Sequence, residues 1–168
     1  PSGAKTSAKP STSPVFNAAG VRFRVVTDTS RSELEEQLRA SEARWRSVIE
    51  SAVDGIVVIN SRGLIEAFNP AAERLFGHTE AEIVGRNVSM LMPSPYTEEH
   101  DGYLARYLAT GDAKIIGIGR AVNGLRRDGH VFPLHLSVGE FEIDGEMHFT
   151  GILHDLTERV RLEAQLRE

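Results

Sequence analysis

His100 is the residue in this chain best placed to do chemistry. It lies in the stretch Ser94-Pro95-Tyr96-Thr97-Glu98-Glu99-His100-Asp101-Gly102-Tyr103-Leu104-Ala105-Arg106-Tyr107-Leu108. Ser94 suits a helix N-cap and Pro95 the first helical position. Glu98 and Glu99 then sit near the positive end of the helix dipole. At helical period Tyr96, His100, Tyr103, Leu104, Tyr107 and Leu108 share one aromatic and aliphatic face, which is expected to pack inward. An imidazole on such a face needs a partner: a hydrogen bond, an ion pair or a metal. On spacing alone, a core histidine satisfied by an ordinary hydrogen bond is the plainer reading.

Arg120 is the second candidate. It shares strand parity with Ile116, Ile118 and Val122. If that face is inward, its guanidinium requires an anion; the plainer reading is a surface arginine paired with an acid. The other histidines have structural readings. His78 follows a helix-ending glycine, His130 sits in a turn, His135 and His148 alternate outward on strands, and His154 is solvated or pairs locally beside Asp155. Glu98-Glu99 reads as helix-start charge. No phosphate-binding glycine loop, kinase nucleotide motif or cyclase signature is visible, so no catalytic residue is assigned. The chain has no cysteine, which excludes disulfides, cysteine-rich zinc sites, thioether-linked haem and thiol chemistry, and fits a reducing, cytoplasmic setting.

The elements that would position these residues follow from pattern. Residues 1–13 are Ser, Thr, Ala, Lys and Pro and read as a disordered linker. Residues 14–29 have a hairpin-like pattern, read as the end of a truncated upstream module. Pro1 in place of Met agrees with a piece of a longer protein. Residues 30–50 are helical, with Leu34, Leu38, Ser41, Trp45 and Val48 spaced as the seam of a coiled coil. A single amphipathic helix lying on its own domain is the alternative. Residues 51–157 form the core. Its strands are expected at Gly55 to Asn60, Leu64 to Phe68, Ile115 to Asn123, Val131 to Glu140 and Met147 to Asp155, with short helices between the second and third. Residues 158–168 begin a charged exit helix. The resulting fold class is α+β: a five-stranded antiparallel sheet with short helices on one face, flanked by N- and C-terminal helices. The sheet's inner face is expected to carry Phe132, Leu134, Leu136 and Val138, then Met147, Phe149, Gly151 and Leu153. The segments after Asp28-Thr29-Ser30 and after Asp155-Leu156-Thr157 echo each other, as tandem sensory modules would.

A net charge of −5 argues against a nucleic-acid surface. No run approaches the eighteen or so apolar residues of a membrane span.

The chain resembles the PAS family. The resemblance rests on Gly55-Ile56-Val57-Val58-Ile59, Phe68-Asn69-Pro70-Ala71-Ala72, Leu75-Phe76-Gly77, Gly85-Arg86-Asn87, Arg127-Asp128-Gly129 and Asp155-Leu156-Thr157-Glu158-Arg159. Leu91-Met92-Pro93, Pro95-Tyr96, His100-Asp101-Gly102-Tyr103-Leu104, Tyr107, Ala109-Thr110-Gly111 and Ile115-Ile116-Gly117-Ile118 look like the haem-binding, oxygen-sensing PAS domains of FixL-type sensor kinases. That resemblance implies haem b with His100 as the iron ligand. It implies that Arg120 bonds either bound oxygen or a haem propionate. Arg106 and Lys114 would be propionate contacts, and Ile115, Leu136 and Val138 the apolar distal wall. Gly102, Gly117, Gly119 and Gly151 would leave room for a flat macrocycle. Two positions depart: Gly119 stands where an acid is implied, and His148 where an aromatic is.

The function implied is a haem-based gas sensor of a bacterial signalling protein, binding O2, with CO and NO as further candidate ligands. A homodimer through the flanking helices and an effector in the same chain are implied too, the parent being a sensor histidine kinase or a diguanylate-turnover enzyme. No membrane contact is expected. The alternative is a haem-free PAS domain that dimerises or holds a small metabolite or a non-covalent flavin.

Overall fold

A computed structural model describes residues 15–16, 22–23, 28–111 and 119–167. The chain divides into two compact units, residues 1–47 and 48–168. In the first, β1 (Val15–Phe16) pairs antiparallel with β2 (Arg22–Phe23). Helix α1 (Asp28–Ser51) follows, its last turn belonging to the second unit. The seam residues Leu34, Leu38, Trp45 and Val48 are all more than half exposed.

The second unit is built on a five-stranded sheet in the order β4-β3-β7-β6-β5, every neighbouring pair antiparallel. The strands are β3 (Gly55–Ile59), β4 (Ile65–Phe68), β5 (Arg120–Leu125), β6 (Val131–Ile143) and β7 (Glu146–Asp155). Between β4 and β5 lie α2 (Pro70–Phe76), α3 (Glu80–Ile83), a 3-10 turn (Val88–Leu91) and α4 (Tyr96–Thr110). Helix α5 (Thr157–Leu166) leaves after β7.

Local chemistry sets the boundaries. Thr79 and Glu82 close a capping box at the start of α3. The β6–β7 turn places Asp144 and Gly145 at φ 52° and 78°, the pair of positive values that a two-residue hairpin requires. Strand alternation puts Phe132, Leu134, Phe149 and Leu153 into the core with Val57, Ile65, Phe68, Ala72, Phe76, Ile83 and Leu91. Phe76 bridges the layers, its ring 6.0 Å from that of Phe68 and 5.5 Å from that of Phe132. On the opposite face Ile152 and Ile143 are exposed, as parity requires. His148 is a correction: it lies on that outer face yet is only 9% exposed. Its ring stacks on Phe141 and its Nδ1 lies 3.1 Å from Glu66 Oε2, so two neighbours cover it.

Asn69 ties the layers together. Its Oδ1 accepts from Ile56 N (2.8 Å) and Ala72 N (2.9 Å), and its Nδ2 donates to Ile49 O (2.9 Å) and Asp54 O (3.1 Å). At 2% exposure, the amide is saturated without water. Asn69→Ala would strand these backbone groups where water does not reach. The expected cost is roughly 3 kcal/mol, read as a lower midpoint in urea denaturation with an unchanged slope. A midpoint within experimental error of wild type would remove Asn69 from this role.

Candidate functional site

Short polar bonds and one aromatic contact anchor α4. Thr97 Oγ1 donates to Ser89 O at 2.8 Å, and Asn87 Nδ2 donates to the Asp101 carboxylate at 2.9 and 3.1 Å. The Tyr107 ring meets Phe149 edge-on, with centroids 5.7 Å apart, and its hydroxyl donates to Glu140. These contacts turn the row Thr97, His100, Leu104, Tyr107 inward, a spacing of three, four and three. The inward face is therefore narrower than the six-residue face expected from sequence: Tyr96, Tyr103 and Leu108 are exposed, and the Tyr103 hydroxyl donates to Glu99 at 2.7 Å. The helix also starts one residue later than expected. Pro95 holds the N-cap position without a side-chain cap, and the Ser94 hydroxyl donates to Glu98 instead.

His100 points into this interface. Its Nδ1 is buried and has no hydrogen-bond partner among the described residues. Burial lowers its pKa from the ordinary 6.5, against the smaller opposing effect of Asp101. At neutral pH the ring is thus an uncharged imidazole, the form that ligates metals. Among the described residues no group of three His, Asp or Glu side chains could hold an ion. A metal here would have to bring most of its own ligands.

The sheet carries the other candidate site residues that the structure describes. Arg120 opens β5 directly opposite Leu136, whose other neighbour is Leu153; Val138 lies opposite Gly151, and Gly151 opposite Val57. Directly opposed residues share a face, so Arg120, Leu136, Val138 and Gly151 all stand on the helix-covered side. Arg120 is exposed even so, being on the edge strand, and no ion pair engages it among the described residues. A Cβ on Gly151 would stand 3.4 Å from Leu136 Cδ1, so the Leu136 side chain leans over the glycine.

Other sequence candidates fall elsewhere. Arg106 is exposed on α4. Lys114, Ile115 and Gly117 lie outside the described residues. Gly102 clears no pocket: a Cβ there would meet nothing within 4 Å. Gly119 makes room for the His135 ring, with which a Cβ would collide. His154 is solvent-exposed, one of the two readings expected, and it also pairs at 2.7 Å with Asp54, one hundred residues away. The Tyr107–Phe149 contact was not anticipated, although both residues carried inward parity.

Comparison with known proteins places these features in a family. The profile described as the PAS fold matches residues 43–156. The chain is 48% identical over 136 residues to Sensor protein FixL of Bradyrhizobium diazoefficiens, an alignment spanning 81% of this chain and 27% of that protein. It is 24% identical over 136 residues to Oxygen sensor protein DosP of Escherichia coli, spanning 81% of this chain and 17% of that protein. The chain thus covers about a quarter or less of these relatives' lengths. Among solved structures, the PAS domain of an HTR-like protein from Haloarcula marismortui superposes with a TM-score of 0.61 at 22% identity, covering 74% of this chain and 98% of that one.

The lowered pKa of His100 has a sign that can be checked. As pH falls below 6.5, the unfolded chain takes up a proton there before the folded one does, so stability drops toward the lowered folded value. Urea denaturation at pH 8 and pH 5 should show a larger loss for wild type than for His100→Gln. Equal losses would mean that His100 titrates as in the unfolded chain.

Proposed function

The chain belongs to the PAS family, and from that premise we propose that it is a haem-based gas-sensing domain of a bacterial signalling protein, holding haem b through His100 and responding to O2. The observation that carries this reading is the buried, unpartnered Nδ1 of a neutral His100 on the inward row of α4. The covered face of the sheet carries Leu136 and Val138, and on the same face Arg120, which has no ion-pair partner among the described residues.

The residues fit such a group in kind. His100 would ligate the iron. Leu136 and Val138 would exclude water from the gas side, and Gly151 would keep that wall low. Arg120 would offer its guanidinium N–H donors to bound gas or to a haem propionate. Arg106 and Lys114 would neutralise the propionates, and Ile115 would complete the wall. Haem supplies reversible gas binding at iron, which no side chain of this chain offers. The protein's own part is to convert a change at Arg120 into a displacement of the sheet. β5 joins β6, β6 joins β7, and β7 ends at Asp155, whose Oδ1 accepts from Thr157 N at 2.9 Å and anchors the start of α5. Such a sheet is a two-state element that a ligand can bias. CO and NO are further candidate ligands. The effector, a histidine kinase or a diguanylate-turnover enzyme, would lie elsewhere in the parent chain. Its partner would be a second copy, joined through the flanking helices.

A second reading, a haem-free PAS module that only self-associates, is favoured by the exposed seam Leu34, Leu38, Trp45 and Val48, because that seam needs no ligand to be useful. Among the described residues no helix is long and apolar enough to cross a membrane.

Hemin titration decides between the two readings. Wild type should gain an intense Soret band that shifts on reduction and again on exposure to air. His100→Ala should lose the band or show a weakly held, oxygen-insensitive one, and Arg120→Ala should keep it but release O2 at least tenfold faster, an effect of about 1.4 kcal/mol. A wild type that takes up no hemin would leave the self-association module.

A further inference from the structure

A continuous path of polar contacts joins the two ends of the sensor core, and it passes through a pair that the proposed haem site does not use. Asn69 Nδ2 holds Ile49 O in the last turn of α1 and Asp54 O just before β3. The Asp54 carboxylate lies 2.7 Å from His154 Nδ1 on β7. The next residue, Asp155, accepts through Oδ1 from the backbone N–H of Thr157 at 2.9 Å and from its hydroxyl at 2.5 Å, and so fixes the first turn of α5.

We propose that Asp54 and His154 are a positioning pair that clips the end of α1 to the start of α5, so that a displacement of β7 reaches both helices together. The inference rests on the sensor reading above for what displaces β7.

The surroundings single out this pair. A cleft of about 160 Å³ lies between the two junctions, lined by Val53, Gly55, Ala71, Leu75 and Leu153 with Asp54, His154 and Asp155. The cleft is not a cation site, because its carboxylates are already engaged: Asp54 by His154, and Asp155 by Thr157 and by Arg126, whose guanidinium is 3.6 Å from Oδ2. The residue directly across from His154 is His135, but the His135 ring lies toward Gly119, which leaves Asp54 as the partner of His154. Both members of the pair are partly exposed. Such a contact contributes little to global stability. It can be made and broken by a modest bias, as a relay requires.

The test follows amide exchange by NMR at Thr157 and Val160, whose N–H groups are bonded to Asp155 Oδ1 and Leu156 O, with β6 core amides as the reference. Asp54→Asn and His154→Gln should each speed exchange at the start of α5 by about fivefold while β6 protection holds. The double variant should be no faster than either single one, and the exchanged pair D54H/H154D should return to within about twofold of wild type. Unmoved α5 amides in both single variants, effects that multiply in the double variant, or an exchanged pair as fast as the single variants would each overturn the proposal. The hemin spectrum of the same samples separates the two claims. A working clip without a Soret band removes the haem input and leaves the pair, whereas a Soret band with unmoved α5 exchange removes the pair and leaves the haem.

Discussion

The buried side-chain amide of Asn69 is the constraint on which the sensor core depends. A helix end, a strand start and a second helix start converge there, and each arrives with backbone groups that regular structure leaves unpaired. One amide with two donors and two acceptor lone pairs meets four of them at once. No apolar residue of the same size could do so, and an acid would lack the two donors. Because Asn69 sits at the head of α2, it also fixes the helix whose Phe76 carries the aromatic core onto the sheet. α2 also approaches β3 closely: a Cβ on Gly55 would stand 3.3 Å from Ala72 Cα.

On that frame the site sets two opposite electrostatic environments against each other. His100 is desolvated enough to stay neutral, and its Nδ1 is denied a partner. Arg120 is exposed on the edge strand, although its register places it on the covered face. Leu136, Val138 and Gly151 share the covered face of the sheet with Arg120. These residues belong to β5, β6 and β7. Anything that moves Arg120 therefore acts on the strands that end at the exit helix. This shared sheet gives binding a route to output without a separate hinge.

Much of this was legible in the sequence. The alternation through Phe132, Leu134 and Leu136 is a local signal, and the structure follows it. Parity left Arg120 open between an inward face and the surface; its register opposite Leu136 sets it on the covered face, and its edge position leaves it exposed. The orientation of α4 did not follow from pattern, because its aromatic residues suggested a broad buried face. Thr97 and Asp101, small polar residues with no hydrophobic signal, choose the face by bonding to Ser89 and Asn87. Pairings across the sheet were hidden for a related reason: Asp54 with His154 and Glu66 with His148 join residues far apart in the chain, and no periodicity records such contacts.

The central claim is that His100, and no other histidine, holds the iron. Nitrogen-15 NMR of histidine-labelled protein loaded with ferrous haem and carbon monoxide, a diamagnetic state, tests it directly. The account predicts that one imidazole moves strongly from its free position, that the same signal disappears in His100→Gln, and that the His148 and His154 rings stay where they were. Displacement of a different histidine, or of none while haem remains bound, would contradict it.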